Sequence, residues 1–225
     1  MKSGSKYRSL TDLPAGAVVG TSSIRRTAQI ALKYPHLRVK DLRGNIDTRL
    51  RKLDAEDGPY DAIILAAAGL LRINRGDRIT QPLDSSSGGM LYAVGQGAIG
   101  VEFRATDQTT RNMLSKIEHK PSSMACIAER SLLSFLEGGC SAPLGVETKW
   151  IEKNSERLLQ MNAIVVSVDG KSCAEAEMLA SVETADAAEQ FGRDVAAGLL
   201  RKGADRILAE IQAKKITNSL DLKEM

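Results

Sequence analysis

Residues 17–72 alternate short apolar stretches with amphipathic stretches, and this order restricts the possible folds more than any other feature of the sequence. In residues 24–34 the apolar side chains recur at the spacing of one helical face, whereas residues 37–42 alternate apolar and polar side chains as a strand does. The predicted strands are residues 17–20, 37–42 and 61–66, and the predicted helices are residues 24–34, 46–53 (capped by Asn45) and 67–72. The order βαβαβ predicts a parallel sheet covered by helices, which makes this part of the chain an α/β domain.

Serines and arginines follow the carboxyl ends of these predicted strands, where open α/β sheets bind their ligands. Hydroxyl groups and free backbone N–H groups at a helix start attract oxyanions, and a guanidinium group binds a carboxylate or phosphate through two parallel hydrogen bonds. Several arginines together indicate a ligand with several negative charges. For any single arginine the alternative is a solvated basic helix face, which suits Lys33, Arg38, Arg51 and Lys52. The residues that we expect at the anion site are Ser22, Ser23, Arg25, Arg26, Arg43 and Arg49.

Two other ligand classes match parts of the sequence. Nine Lys or Arg residues and only two acidic residues lie between positions 20 and 52, and such a basic region is also typical of nucleic-acid binding. Aromatic residues make up only 4% of the chain and no recognition helix or zinc-finger spacing is visible, so we expect no nucleic-acid partner. Residues 95–100 (GQGAIG) match the G-x-G-x-x-G pattern of nucleotide-cofactor sites, but residues 101–104 predict a strand where that motif needs a helix.

The second half of the chain has a different pattern, which predicts a small antiparallel sheet with helices packed on it. Asp169 and Gly170 are a strong hairpin signal, and Gly203 is a natural end between two helical stretches. Residues 104–120 predict a charged helix and connector. The further predicted helices are residues 124–136 (capped by Pro121, Ser122 and Ser123), 185–202 and 204–214, and the predicted strands are residues 164–168 and 173–178.

Cys140 follows one of these predicted helices in the stretch EGGCSAP, residues 137–143. Two glycines remove side chains from its approach, so a bulky electrophile can reach a thiol on this loop. Cys140 is therefore a candidate attachment point, and the alternative is a small loop residue with no chemical role. Cys126 lies within a predicted helix and Cys173 on a predicted strand, so we expect both to be packed against the core.

The composition is typical of a soluble globular protein, with 43% hydrophobic and 26% charged residues. No apolar run is long enough to span a bilayer, so we expect no membrane contact. Three widely spaced cysteines without a signal-peptide pattern indicate a reducing compartment, and we expect a cytoplasmic location. His36 and His119 are far apart and have no partners in the sequence, so no metal site is predicted.

Five motifs in this order resemble the porphobilinogen deaminase (hydroxymethylbilane synthase) family. They are residues 20–26 (GTSSIRR), 42–45 with 48–50 (LRGN and TRL), 66–70 with 72 (AAAGL and R), 93–98 (AVGQGA) and 137–141 (EGGCS). The resemblance runs from about Ser9 to the C-terminal helices. It implies that Cys140 carries a dipyrromethane cofactor through a thioether and that the arginines bind the acetate and propionate groups of pyrrole rings. The residues that the resemblance adds to the expected site are Gly44, Arg72, Gln96 and Gly97.

The activity implied by the resemblance is that of a transferase in tetrapyrrole and heme biosynthesis. Such an enzyme condenses four porphobilinogen molecules into hydroxymethylbilane and releases ammonia, with porphobilinogen and the growing polypyrrole as its partners. The family implies a monomer for the full-length protein, and self-association stays open for a shorter chain. The alternative from another functional class is a noncatalytic module that binds polycarboxylate anions.

The family has three domains, and the resemblance divides this chain unevenly among them. Residues 1–94 correspond to a linker and the second domain, which is α/β and similar to periplasmic binding proteins. Residues 95–118 correspond to a segment that returns to the first domain, and residues 119–225 correspond to the α+β domain with the cofactor cysteine. We expect the strand at residues 101–104 to lack partners, so that residues 95–118 are mobile or pair with a second copy of the chain.

No residue of this chain is expected to be the catalytic acid. The family's catalytic aspartate lies in a part of the first domain that precedes the equivalent of residue 1. Asp12, in the stretch SLTDLP, aligns with the interdomain linker instead, where it is expected to be a turn or helix-start residue. We therefore expect little or no deaminase turnover from this chain alone.

Overall fold

The computed structural model describes residues 1–136 and 142–221, with side chains described as far as residue 213. The first part contains β1 (Val18–Gly20), α1 (Ile24–Lys33), β2 (Arg38–Lys40), α2 (Ile46–Asp54), β3 (Ala62–Ile63), α3 (Ala67–Arg72), a 3-10 turn (Gly76–Arg78) and α4 (Gln108–Leu114). The second part contains α5 (Lys120–Phe135), β4 (Leu144–Lys153), β5 (Glu156–Val166), β6 (Cys173–Ala180), α6 (Ala185–Arg201) and α7 (Ala204–Asp221).

The first three strands form a parallel sheet in the order β2-β1-β3. Val19 in the central strand lies beside Val39 on one side and Ala62 on the other. Helices connect the strands, so the predicted βαβαβ order and the α/β fold class are confirmed. The carboxyl ends of all three strands therefore meet at one edge of the sheet.

Hydrogen bonds continue beyond the ends of β1 and β3, and both β2 and β3 are shorter than predicted. The Thr21 N–H donates to the Lys40 carbonyl oxygen at 3.0 Å, and the Ile64 N–H donates to the Gly20 carbonyl oxygen at 3.3 Å. The loops that leave the strands are thus fixed to the sheet before the helices begin.

Side-chain caps set the starts of α1 and α2. Asn45 Oδ1 accepts a hydrogen bond from the Thr48 N–H at 2.9 Å, which confirms the predicted cap of the second helix. Ser23 Oγ accepts from the Arg26 N–H at 3.4 Å and begins the first helix. Each cap satisfies an N–H group that has no partner within its helix.

The segment before β1 packs onto this α/β unit. Leu10 and Leu13 are buried in the same cluster as Val19. Between the two leucines, Asp12 Oδ2 accepts a hydrogen bond from the Ser9 N–H at 2.9 Å, as a turn residue does. The Asp12 carboxylate is therefore used in local structure.

The second unit is an antiparallel sheet in the order β4-β5-β6, with α5, α6 and α7 contributing to one core. The core includes Leu132 from α5, Met161 from β5 and Leu199 from α6, each fully buried. At the predicted hairpin the Gly170 N–H donates to the Ser167 carbonyl oxygen at 2.9 Å, so this turn is confirmed. The α+β class of the second unit is confirmed as well.

Helix α5 begins four residues earlier than predicted. Its first residue is Lys120, and Pro121 lies inside its first turn. Proline is compatible with this position because the first N–H groups of a helix have no partner within it.

The predicted strand at residues 101–104 is wrong. These residues belong to no strand, and Val101 is 58% exposed and Ile99 81% exposed. The alternation of apolar and polar side chains is compatible with a strand, but a strand also needs a neighbour for its hydrogen bonds. In the described ranges no strand lies beside this segment.

The expected packing of Cys173 is also wrong, since this residue is exposed. In β6 the side chains of Ala174 and Ala176 point into the core, so the alternation of the strand directs Cys173 to the solvent. Cys126 in α5 is half-buried, and its burial raises the pKa of its thiol.

Candidate anion-binding site

A cavity of about 520 Å³ lies at the carboxyl end of β3 and beside the first turn of α1. Its wall includes residues 62–70, which run from β3 into α3. Five of the predicted site residues also line it, namely Arg25, Arg26, Arg72, Gln96 and Gly97. The cavity thus collects residues from the start of α1, the end of α3 and the segment that follows the α/β unit.

Arg25 lies in the first turn of α1 and is only 8% exposed. Its guanidinium group donates to the Leu91 carbonyl oxygen and, at 3.4 Å, to Gln96 Oε1. Burial, together with the positive charge of Arg26, lowers the pKa of Arg25 to about 10. The side chain is therefore still a cation at neutral pH, and a buried cation is costly unless an anion pairs with it.

Arg26 is half-buried beside it, and its Nη1 donates to the Ile64 carbonyl oxygen at 2.6 Å. Burial lowers the pKa of Arg26, and the nearby charge of Arg49 lowers it further. Arg49 in turn donates from Nε to the Gly44 carbonyl oxygen at 2.6 Å. Three cations therefore approach one another at this edge of the sheet.

None of the arginines 25, 26, 49 and 72 forms a salt bridge with a carboxylate of residues 1–136 or 142–213. Two of the four line the cavity with their charge largely removed from water. Like charges this close repel each other, so an anion from outside the described chain would stabilise them.

The serines of this edge take part in the scaffold. Ser22 Oγ donates to the Leu42 carbonyl oxygen at 2.7 Å and accepts from the Leu42 N–H at 3.2 Å, which ties the end of β1 to the end of β2. Ser23 caps α1. Neither serine lines the cavity, so the structure does not bring them together with Arg25 there.

Arg43 also lies away from the cavity. Its side chain is 81% exposed, and its Nε is 3.1 Å from Asp41 Oδ2. The nearby Ser22 hydroxyl lowers the pKa of Asp41, and the charge of Arg43 acts in the same direction. We call the predicted site residues that do not line the cavity the rim residues, namely Ser22, Ser23, Arg43, Gly44 and Arg49.

Gln96 and Gly97 enter the cavity on a tight turn. The Gln96 N–H donates to the Ala93 carbonyl oxygen at 3.0 Å, and the Ala98 N–H donates to the Gly95 carbonyl oxygen at 3.1 Å. Gly97 has a φ of +93°, which favours glycine. The turn places the Gln96 amide oxygen at the Arg25 guanidinium group.

Cys140, the expected attachment point, lies outside the described residues. The described chain stops at Leu136, directly after α5, and resumes at Ala142, before β4.

Comparison with known proteins gives two matches to one family. The family description "Porphobilinogen deaminase, dipyromethane cofactor binding domain" matches residues 3–112, and "Porphobilinogen deaminase, C-terminal domain" matches residues 123–201. The chain belongs to the porphobilinogen deaminase family. The five predicted residues that line the cavity all fall within the first of these two matches.

Porphobilinogen deaminases of fungi are similar to most of this chain. The protein of Neurospora crassa is 50% identical over 205 residues, which are 90% of this chain and 59% of the relative. The protein of Yarrowia lipolytica is 50% identical over 216 residues, which are 96% of this chain and 62% of the relative. For Candida albicans the identity is 48% over 219 residues, which are 97% of this chain and 63% of the relative. The chain thus spans about three fifths of the length of these porphobilinogen deaminases.

Two buried polar residues near the site were not predicted from the sequence. Gln29 is 1% exposed, and its Oε1 accepts from the Leu91 N–H at 2.7 Å. Glu129 is 8% exposed and accepts from the Gly95 N–H at 2.7 Å. Each of these two polar residues lies on the apolar face of its helix. A polar residue at such a position is visible in the sequence and could have identified both as buried, hydrogen-bonded side chains.

The described residues contain no group of three or more His, Cys, Asp or Glu side chains placed to hold a metal ion. In the described part of the chain, no helix is both long and apolar enough to span a bilayer.

Proposed function

We propose that this chain is part of a hydroxymethylbilane synthase, the transferase that condenses four porphobilinogen molecules into hydroxymethylbilane with release of ammonia. This reaction belongs to tetrapyrrole and heme biosynthesis. The observation that carries the proposal is the pair Arg25 and Arg26, whose guanidinium groups line a cavity without a carboxylate partner in the described residues. The membership in the porphobilinogen deaminase family supports the same substrate.

The cavity residues suit pyrrole carboxylates by their chemistry. A pyrrole with acetate and propionate groups offers two carboxylates per ring, and each arginine can bind one of them bidentately. A hydrogen bond to a charged group contributes roughly 1.5 to 3 kcal/mol. The cavity volume of about 520 Å³ lies within the range of sites for small organic ligands.

A dipyrromethane joined to the Cys140 thiol by a thioether supplies, when bound, the pyrrole end to which further rings are added. Its carboxylates match the donor set of Arg25, Arg26 and Arg72, and the Gln96 amide can donate to a neighbouring oxygen. Ser22, Ser23, Arg43, Gly44 and Arg49 are proposed to complete the site at the rim, where Arg49 already lies close to Arg26. The residues of this chain bind and orient the pyrrole carboxylates, and the exclusion of water from the cavity strengthens each charge pair.

A noncatalytic polycarboxylate-binding module is the second candidate function. It is favoured by the cavity lining, which holds Arg78 as well as three arginines of the site but no Asp, Glu or His among the described residues. Binding requires only the arginines, whereas the condensation also requires a group that moves protons. Little turnover is therefore expected from this chain alone. A rate typical of a working enzyme, measured with the purified chain and porphobilinogen, would contradict that expectation.

The domain division is proposed as residues 1–94, 95–118 and 119–225, with residues 95–118 as a segment of another domain of the full protein. It is supported by the exposure of Ile99, Val101 and Ile117 in this segment. We propose a cytoplasmic, monomeric full-length protein, whose partners are porphobilinogen and the growing polypyrrole. Hydrogen exchange tests the division: residues 101–103 should exchange fast and residues 63–65 slowly. Equal protection in a demonstrated monomer would contradict it.

Mass spectrometry of the protein as isolated tests the function. We expect the intact mass to include one dipyrromethane, and the modified peptide to contain Cys140. A Cys140→Ala variant should lose the added mass, while Cys126→Ala and Cys173→Ala variants should keep it. An unmodified Cys140 in protein made by cells that synthesise porphobilinogen would favour the noncatalytic module.

A further inference from the structure

The segment between the two units is tied to them at three points. The Leu91 N–H and carbonyl oxygen bind the Gln29 side-chain amide at 2.7 and 3.2 Å. Tyr92 exchanges two backbone hydrogen bonds of 2.9 Å with Val146 of β4. The third tie is the hydrogen bond of the Gly95 N–H to Glu129 of α5. Helix α1, strand β4 and helix α5 therefore all hold the few residues that lead to the turn at the cavity.

Both carboxylate oxygens of Glu129 are in use. Oε2 accepts from the Gly95 N–H at 2.7 Å, and Oε1 accepts from the Thr148 hydroxyl at 2.7 Å. No lysine or arginine forms a salt bridge with Glu129 in the described residues. An apolar residue would pack on α5 at lower cost, because a buried carboxylate without a cation is unfavourable. The hydrogen bond to Gly95 is what a carboxylate adds at this position.

Gly95 and Gln96 are adjacent, and they are held from two different helices. Glu129 of α5 binds the N–H of Gly95, whereas Arg25 of α1 donates to Gln96 Oε1. We infer that Glu129 is a positioning residue of the anion site: it fixes the turn that presents Gln96 and Gly97 to the cavity beside Arg25. This inference rests on the proposed function.

The same contact joins the cavity to the helix that precedes Cys140. Helix α5 carries Glu129 and ends at Phe135, five positions before the cysteine. Because Glu129 lies on this helix and binds the turn at the cavity, it fixes the position of the turn relative to the helix. Glu129 thus links the turn at the arginine cavity directly to the helix before the proposed attachment point.

The test compares three variants by calorimetric titration with porphobilinogen. Glu129→Ala should weaken binding about five- to twentyfold, because the Gly95 N–H loses a charged partner and the turn loosens. Glu129→Gln should bind within about twofold of the wild type, because its amide oxygen accepts from Gly95 and its NH₂ group donates to Thr148. Leu132→Ala, on the same helix, removes core volume but no contact to the turn, so it should lower the free energy of unfolding and leave the affinity unchanged.

Two results would overturn the inference. Wild-type affinity in Glu129→Ala is one, and an equal loss in Glu129→Ala and Leu132→Ala is the other, since it would indicate a general effect of stability. Arg25→Ala separates this failure from that of the proposed function. A loss in Arg25→Ala alone overturns the role of Glu129, whereas no loss in either variant overturns the anion site itself.

Hydrogen exchange of the wild type tests the contact without a destabilised variant. The Gly95 amide should be protected in the wild type and in Glu129→Gln, and Glu129→Ala, if it folds, should lose that protection. An unprotected Gly95 amide in the wild type would overturn the inference, whatever the fate of the alanine variant.

Discussion

The α/β unit contains two kinds of arginine that are withdrawn from water. Arg78 donates from both terminal nitrogens to the two oxygens of Asp54 at 2.8 Å, and its side chain is 21% exposed. Arg25 and Arg26 are comparably withdrawn, yet the described chain gives them only neutral oxygens. An arginine whose anion is built into the fold stabilises the fold. An arginine that has no anion within the fold is available to bind a ligand anion. Until the ligand binds, its unpaired charge lowers the stability of the fold.

The same contrast divides two carboxylates. Asp54 is paired with a cation, whereas Glu129 receives two neutral hydrogen bonds and no cation among the described residues. We infer that the unpaired members, Arg25, Arg26 and Glu129, serve the site and that the paired members serve the scaffold.

The largest effect is expected from the unpaired arginines. Replacing Arg25 or Arg26 by Ala should weaken porphobilinogen binding about ten- to a hundredfold, as expected for the loss of a bidentate charged pair. Arg→Lys should weaken it nearly as much, because lysine lacks the planar fork. The same paired substitutions at Arg43 and Arg49 of the rim and at Arg72 of the cavity lining compare these two groups of residues. Titration calorimetry measures all of them, and unchanged affinity in both series would show that these arginines do not bind the ligand.

The paired arginine should show the reverse pattern. Arg78→Ala should lower the free energy of unfolding by about 1 to 3 kcal/mol, because it leaves Asp54 without its partner in a partly buried place. Arg78 also lines the cavity, but its guanidinium group is already paired with Asp54, so the affinity for porphobilinogen should fall much less than in Arg25→Ala. Urea unfolding and titration of the same preparation check both values. A large loss of affinity with unchanged stability would contradict the assignment of Arg78 to the scaffold.

The smallest effect is expected from the charge of Glu129. Burial raises the pKa of this carboxyl above its ordinary 4.5, although hydrogen bonds from Thr148 and Gly95 oppose the rise. The folded chain therefore binds the proton more tightly than the unfolded chain, so this contribution to stability is fully present below pH 4.5 and falls as the pH rises through the folded pKa. Glu129→Gln should lack this fall and be at least as stable as the wild type at pH 7.

Urea unfolding of the two proteins between pH 4 and 8 checks this expectation. The difference between them isolates Glu129 from the nearby Cys126 and Arg130, which both proteins share. A wild type that gains stability relative to Glu129→Gln as the pH rises would contradict the sign.

Local patterns in the sequence predicted the elements whose signals are local. The βαβαβ order follows from side-chain periodicity, and the Asn45 cap and the Asp169 to Gly170 hairpin follow from short-range chemistry. The strand at residues 101–104 could not be judged this way, because a strand depends on a neighbour that the pattern does not reveal. The exposure of Cys173 depends likewise on which face of β6 packs on the core.

The sequence predicted the region of the candidate site, but it did not show which of the predicted residues line the cavity. The sequence placed Arg25, Arg26 and Arg43 alike at strand ends. Only the fold shows that the first two line the cavity and that Arg43 binds Asp41 at the surface. Glu129 is more than a hundred residues away from Arg25 in the sequence, and its link to the site exists only in the tertiary structure.

We propose that Arg25 and Arg26, which have no carboxylate partner in the described residues, are held for pairing with a pyrrole carboxylate. The most direct test is titration of the chain with porphobilinogen and with its dimethyl ester, which keeps the pyrrole ring but lacks both negative charges. We predict saturable binding of the acid and at least tenfold weaker binding of the ester, with the difference lost in an Arg25→Ala, Arg26→Ala double variant. Equal binding of acid and ester, or a difference that survives the double substitution, would contradict the claim.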